Sequence, residues 1–246
     1  TFQFTDRGGT RQCYTQRADG SVHEATNAPP TVTTGNFGTQ VLGTVTGALP
    51  ASWAVLNDYL LFSDGKRLPQ IYPGTGQRIL GFHVYKGTAI PANPKTILDF
   101  GEDYADEVTD AVTTRVAPLS SLDTLANGDA FFIITEVPAN SFTFTVQAAN
   151  VNAATLAVKY CKNDMTWAAV SGLSDGMASG GATVGQTGTV SFTHPTDEIP
   201  CYQYGKSGFV YQFSVSAALD ASVTVSQVTY SANWQSIQNV WDGDMV

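Results

Sequence analysis

Residues 141–148 read SFTFTVQA, and the two faces of that stretch differ completely. Phe142, Phe144 and Val146 fall on one side of an extended chain, and Thr143, Thr145 and Gln147 on the other, because successive side chains of a strand alternate. A helix would scatter the three apolar residues, so the period of two decides for a strand with one buried face. The same period recurs on both sides. TLAVKYC (155–161) puts Leu156, Val158 and Tyr160 together, with Lys159 and Cys161 opposite. GTVSFTHP (188–195) gathers Val190 and Phe192, and GFVYQFSVSA (208–217) gathers Phe209, Tyr211, Phe213 and Val215. SVTVSQVTY (222–230) starts with Val223 and Val225 and then shifts phase to Val228 and Tyr230, as a β-bulge near Ser226-Gln227 would make it do. AFFIIT (130–135) is apolar on both faces and is expected to be a central strand.

Strands of this kind, joined by turn-rich loops, predict an all-β chain with an antiparallel β-sandwich of jelly-roll type over 96–232. Residues 1–95 read instead as short hairpins. QCYTQRADGSVHEAT (12–26) is two strands about Asp19-Gly20, and DYLLFSDGKRLPQIYPG (58–74) repeats the design about Asp64-Gly65. ILGFHVYKG (79–87) is a further strand of that region. Two Asp-Gly hairpins would suit blades of a β-propeller, although two cannot close a ring. Residues 233–246 read as a C-terminal tail or as a return into a further domain. No window of the chain sustains helical periodicity for three turns.

The 246 residues carry a net charge of -9, and only 13% of them are charged. Such a balance repels nucleic acid at long range, so sequence-specific nucleic-acid binding is not expected. No apolar run is long enough to cross a membrane, and no signal peptide is present. The chain opens at Thr1 and ends NVWDGDMV, which reads as a processed product or a piece of a longer chain. Cys13, Cys161 and Cys201 do not make a disulfide framework. Free thiols are the expected state, suited to assembly in a reducing cytosol, with a single Cys161–Cys201 bridge as the alternative.

No nucleophile elbow, zinc motif or phosphate loop is present, and no catalytic, cofactor-binding or metal-binding residue is nominated. His23, His83 and His194 share no metal-ligand spacing. Asp99, Glu136, Asp164, Asp175, Asp197 and Glu198 could supply a glycosidase pair only by number, since most fall in turns. Glu102, Asp103, Asp106, Glu107 and Asp110 lie close enough in sequence to raise the question of calcium, but their spacing is not that of an EF-hand, and a solvated acidic loop is the expectation. Stacking of sugar rings would need exposed aromatics. The candidates for glycan or subunit contact are Trp167, Tyr202, Tyr204, Trp234 and Trp241, with core packing the expected role of Trp167. Trp53, Trp234 and Trp241 read as contacts between domains or subunits. Trp167–Leu173 reads as a hairpin arm, and 174–188 as a long loop crossing the sandwich end.

NVNAATLAVKYCKNDMTWAAVSGLSDGMASGGATVGQTGTVSFTHPTDEIP, from residue 150, followed by GFVYQFSVSAALDASVTVSQVTY, resembles a domain that recurs in virion and tail proteins of tailed bacteriophages. The resemblance spans about Asp99 to Tyr230. The chain departs from the pattern at Gln212, where a basic residue is usual, and at Cys161-Lys162, where Trp-Asn is common. NDYLLFSDGKRLPQIYPG is similar to blade segments of the propeller-bearing nozzle proteins of short-tailed phages, and WQSIQNVWDG to the return into the next such segment. The resemblance implies a non-enzymatic structural component of a phage particle, most simply a tail or tail-nozzle protein that associates with itself in a cyclic oligomer and with other virion proteins. It would be assembled in the host cytoplasm and end in the virion tail. One alternative is a carbohydrate-binding module of a tail fibre, whose partner would be a host surface glycan. The other is a capsid decoration or head-fibre protein.

Overall fold

The computed structural model describes residues 1–25, 37–87, 89–95 and 101–237. The fold is all-β, with four sheets built from antiparallel strands among the described residues. The chain forms two compact units, Thr1–Gln77 with Ala232–Val246, and Arg78–Ser231.

The first unit holds two sheets. One runs in the order β1 (Phe2–Thr5), β2 (Arg11–Gln16), β3 (Val22–Glu24), β4 (Thr39–Leu42). Asp19-Gly20 turns β2 into β3 as expected. Gly20 sits at φ 79°, and the Asp19 carboxylate accepts the Ser21 N–H at 3.0 Å. The other sheet contains β5 (Ser52–Leu56), β6 (Tyr59–Ser63) and β7 (Gln70–Tyr72). Asn57 and Asp58 join β5 to β6 with φ of 51° and 65°, the two left-handed residues of a type I′ hairpin, whose twist matches the strands. Gln235 and Ser236 then pair with Ile71 and Gln70, so the start of the presumed tail is the fourth strand of this sheet.

Phe4, Tyr14 and Val22 from the first sheet meet Leu60 and Phe62 from the second. Trp234 packs among them, stacked on Tyr72 at 5.2 Å and edge-on to Tyr14 at 5.4 Å. Trp53 lies 4.7 Å from Phe62. Trp53 and Trp234, read from the sequence as contacts between domains or subunits, instead pack, partly buried, against the aromatic core of their own unit. Their neighbours in space come from distant sequence, so local context could not reveal the role. Trp241 lies outside the described residues.

A buried ion pair ties this unit together. The Asp64 side chain is 0% exposed and accepts Arg67 Nε at 2.7 Å and the Lys66 and Arg67 N–H groups at 3.0 and 2.9 Å. Arg67 also donates to the carbonyls of Gly20 and of Gly43, the latter at 3.1 Å, and lies over the Phe62 ring. One guanidinium thus joins three loops.

β8 (Gly74–Arg78) leads to the second unit. Its strands are β9 (Gly81–Tyr85), β10 (Glu102–Asp103), β11 (Ala117–Pro118), β12 (Ala130–Thr135), β13 (Ser141–Ala148), β14 (Leu156–Cys161), β15 (Trp167–Ala169), β16 (Ser171–Asp175), β17 (Gly188–Thr193), β18 (Cys201–Gln203), β19 (Lys206–Val215) and β20 (Thr224–Ala232). One sheet runs β10-β9-β12-β19-β14-β15, with β18 hairpinned onto β19, and the other runs β11-β20-β13-β17-β16. They pack face to face. Phe131 stacks on Phe213 at 4.8 Å, and Phe142 of the opposite sheet meets Tyr211 at 5.1 Å and Phe213 at 5.4 Å. The bulge falls where the phase change put it: Thr145 faces Gln227 and Val146 faces Val225, leaving Ser226 extra.

One boundary differs from the expectation. β9 pairs with β12 along five residues, so the sandwich unit begins near residue 78 rather than 96. Residues 176–187 lie against the β13–β14 connection between the sheets, with the Asn150 N–H donating to the Val184 carbonyl and the Thr183 N–H to the Ala154 carbonyl. They join β16 to β17 within one sheet, and the chain changes sheets earlier, between β15 and β16.

Arg67→Ala leaves Asp64 buried without its cation and is expected to lower unfolding stability by about 3 kcal/mol in urea titrations. Burial opposes ionisation of Asp64, but the N–H groups of Arg67 and Lys66 and the guanidinium outweigh it and hold the carboxyl below its usual range. The pair's contribution is therefore present above the unfolded value near ~3.9 and lost as pH falls through the lower folded value. The stability gap between wild type and Arg67→Ala is therefore expected to narrow as pH falls through the wild-type Asp64 value.

Candidate functional site

All six residues of β12 are buried. Phe131 faces the opposite sheet of the sandwich, while Ala130, Phe132 and Ile134 belong to a second core on the outer side. Strand alternation makes this unavoidable for AFFIIT, and something must cover the outer face. The cover is made by loop and turn residues together with the first residue of β15. Ile90, Met165, Trp167, Ile199 and Tyr204 pack on Tyr85, Phe132, Ile134 and Val210.

A disulfide closes this layer. Cys161, at the end of β14, is bonded to Cys201, at the start of β18, with Cα atoms 7.0 Å apart. The expectation of free thiols is corrected at these two positions, because the β14–β19 and β18–β19 pairings bring both ends to one place. Cys13 alone remains a thiol, and burial pushes its pKa up.

The structure brings Trp167 and Tyr204 together. Trp167 opens β15 opposite Cys161, half-buried, with its ring 6.0 Å from Phe132. Pro91, Pro94, Trp167 and Tyr204 border a void of about 10 Å³, room for one water and not for a sugar ring. Tyr204 and Gly205 form the two-residue β18–β19 turn at φ 56° and 74°. A left-handed tyrosine is strained. Its ring is held by stacking on His83 at 4.3 Å and by contact with Phe132 at 5.4 Å. Tyr202 alternates outward and is 55% exposed.

Beside Tyr204, Lys206 Nζ donates to Asp103 Oδ2 at 2.6 Å, and His83 Nε2 lies 3.7 Å from the same oxygen. Burial drives His83 down to about 4, against the pull of Asp103. Asp103 ionises readily although burial opposes it, because Lys206 and the Ala105 N–H outweigh that cost. Sequence spacing gave no hint of this trio, whose members come from β9, β10 and β19.

Glu198 is the other group that sequence reading did not single out in a role. Its side chain is 5% exposed. Tyr211 donates to Oε2 at 2.7 Å, and His194 Nδ1 lies 3.5 Å from Oε1. Burial pushes the carboxyl up to about 8, opposed by the Tyr211 hydrogen bond and reinforced by Asp197, while burial holds His194 down. Asp197 accepts from Tyr160 at 2.7 Å and lies 3.8 Å from Lys162. Glu198 could exchange a proton, but it is walled in. Of the other numerical candidates, two serve turns: Asp164 accepts from the Thr166 N–H, and Asp175 from the Met177 N–H. Asp99 lies outside the described residues.

The acids of 102–110 do not converge. Asp103 turns to Lys206, Asp110 to Arg78 at 3.3 Å, and Glu102 to the Tyr104 hydroxyl. Among the described residues no three ligating side chains are placed to hold a metal. A cleft of about 350 Å³ opens between Lys86, Gly101, Glu102, Tyr104 and Pro118, and the Lys86 ammonium donates to the Ser120 carbonyl at 2.6 Å. No protein-family model matches the chain, and no curated protein matches it in sequence.

Two outcomes follow from this layer. Cys201→Ser opens a loop of sequence separation 40 and is expected to lower stability by about 3–4 kcal/mol in urea, as is reduction of the wild type. Glu198 has a folded pKa above its unfolded one, so its contribution is full below the unfolded value near ~4.3 and is lost as pH rises to about 8. The wild type should lose up to about 1.4 kcal/mol per pH unit across that window, and Glu198→Gln should flatten the slope in thermal melts taken from pH 5 to 8.

Proposed function

We propose that this chain is a non-enzymatic structural component of a bacteriophage particle, a tail or tail-nozzle protein that works by assembling with copies of itself into a ring. One observation carries the reading. Gln235 and Ser236 return to complete a four-stranded sheet begun by β5, β6 and β7, with the sandwich unit intervening in sequence. Four-stranded antiparallel sheets are the unit of propeller blades. A blade-like body interrupted by a sandwich is the organisation that the resemblance to nozzle proteins implies.

The use of the aromatic residues supports the same reading. Trp234, Trp167 and Tyr204 are engaged in packing, which leaves Tyr202 as the exposed candidate among the described residues. The net charge of -9 suits a conduit wall that DNA passes without sticking.

Mass photometry of the purified full chain is expected to give one closed oligomer of fixed stoichiometry, and electron microscopy a ring. A monomer that binds glycan, and loses that binding in Trp167→Ala, would overturn the proposal in favour of a carbohydrate-binding module.

A further inference from the structure

β5 is the outer strand of its sheet, and among the described residues nothing pairs with its free edge. It keeps register with β6 over five consecutive residues, Ser52 to Leu56, without a bulge, so the edge is regular. Four of those five residues are exposed, including Val55 at 51% and Leu56 at 57%. Natural sheets blunt such edges with charge, proline, bulges or brevity. The other edges do so here. β10 is Glu102–Asp103, β11 ends in Pro118, β15 has three residues, β16 carries a register shift, and the Gln235–Ser236 strand has two residues. β4 meets β3 through a register shift, and β1 has four residues. β5 has no charge, proline or bulge within its five residues.

The charge pattern indicates what pairs with it. The whole chain carries -9, so two copies repel at long range, yet residues 47–57 contain no charged side chain. An uncharged edge is a surface on which two copies of this acidic chain can approach. We propose that β5 is a self-association edge, pairing antiparallel with β5 of a second copy about a two-fold axis through Ala54. In that register the small Ala54 faces the partner's Ala54, Val55 faces the partner's Trp53, and Leu56 faces the partner's Ser52. The contact is isologous, and it extends the sheet across the axis. A five-residue edge falls below the roughly 1,200 Å² of a stable interface, so the pairing depends on concentration. It goes beyond ring assembly and does not depend on it.

Sedimentation velocity on the full chain, from low to high micromolar, is expected to show a shift toward a species of twice the mass. Ala54→Lys sets two ammonium groups opposite each other and should weaken that association at least tenfold, with thermal unfolding unchanged. Ala54→Cys should give a covalent dimer on a non-reducing gel after mild treatment with an oxidised small-molecule disulfide, since directly opposed Cα atoms lie about 4.5–5.5 Å apart. A wild type that stays monomeric, association unaffected by Ala54→Lys, or a dimer that Ala54→Cys fails to cross-link overturns the proposal. A fixed ring that survives Ala54→Lys, with no further pairing of copies, keeps the ring reading and overturns the β5 edge.

Discussion

The second unit depends on one constraint: a strand apolar on both faces cannot lie at the surface. β12 needs cover twice. On the inner side the requirement is met by regular structure, with Phe142 and Phe144 of the opposite sheet closing over Phe131 and Phe213. On the outer side the apolar surface comes from loop and turn residues together with Trp167 at the start of β15. This arrangement explains why a tyrosine is held in a left-handed turn, why prolines flank Asn93, and why two cysteines meet far from each other in sequence. Each of these features fastens a segment of the outer layer against β12 and its neighbours.

The same division explains what the sequence made legible. Period-two patterns exposed the inner faces of β13, β14, β17, β19 and β20, and the phase change at Val228 located the bulge at Ser226. These signals are local, because alternation is enforced by the pleat. The outer layer has no period. Cys161 fell opposite the apolar face of its strand in the sequence, and residues distant in sequence, among them Ile90, Trp167, Ile199 and Tyr204, pack on the cluster that holds it. Trp234 was hidden for another reason: a tail and a returning strand read alike until the partner is known, and its partner is Ile71 and its neighbours. The boundary near residue 78 was missed because β9 reads as a strand without revealing which sheet it joins.

The charged groups follow a similar logic. Asp64 is fully enclosed yet ionised, because backbone N–H groups and Arg67 converge on it. Glu198 is nearly as enclosed, but it receives one hydroxyl and faces an imidazole, so its proton stays. The difference between the two carboxyls is the number of donors aimed at them, not their depth. Their positions fit parts that fasten segments in place, in keeping with the structural role proposed for the chain.

The pairing of Ile71 with Gln235 also sets an order of events. During synthesis β5, β6 and β7 emerge long before their fourth strand, which is separated from them by the whole second unit. A disordered intervening segment would make that closure slow and costly in chain entropy. If Arg78–Ser231 folds first, its ends are already fixed, and the effective loop shrinks to the few residues at the junctions. The waiting three-stranded sheet meanwhile lacks Trp234 in its core. The sandwich thus serves as an internal spacer whose own folding times the completion of its host.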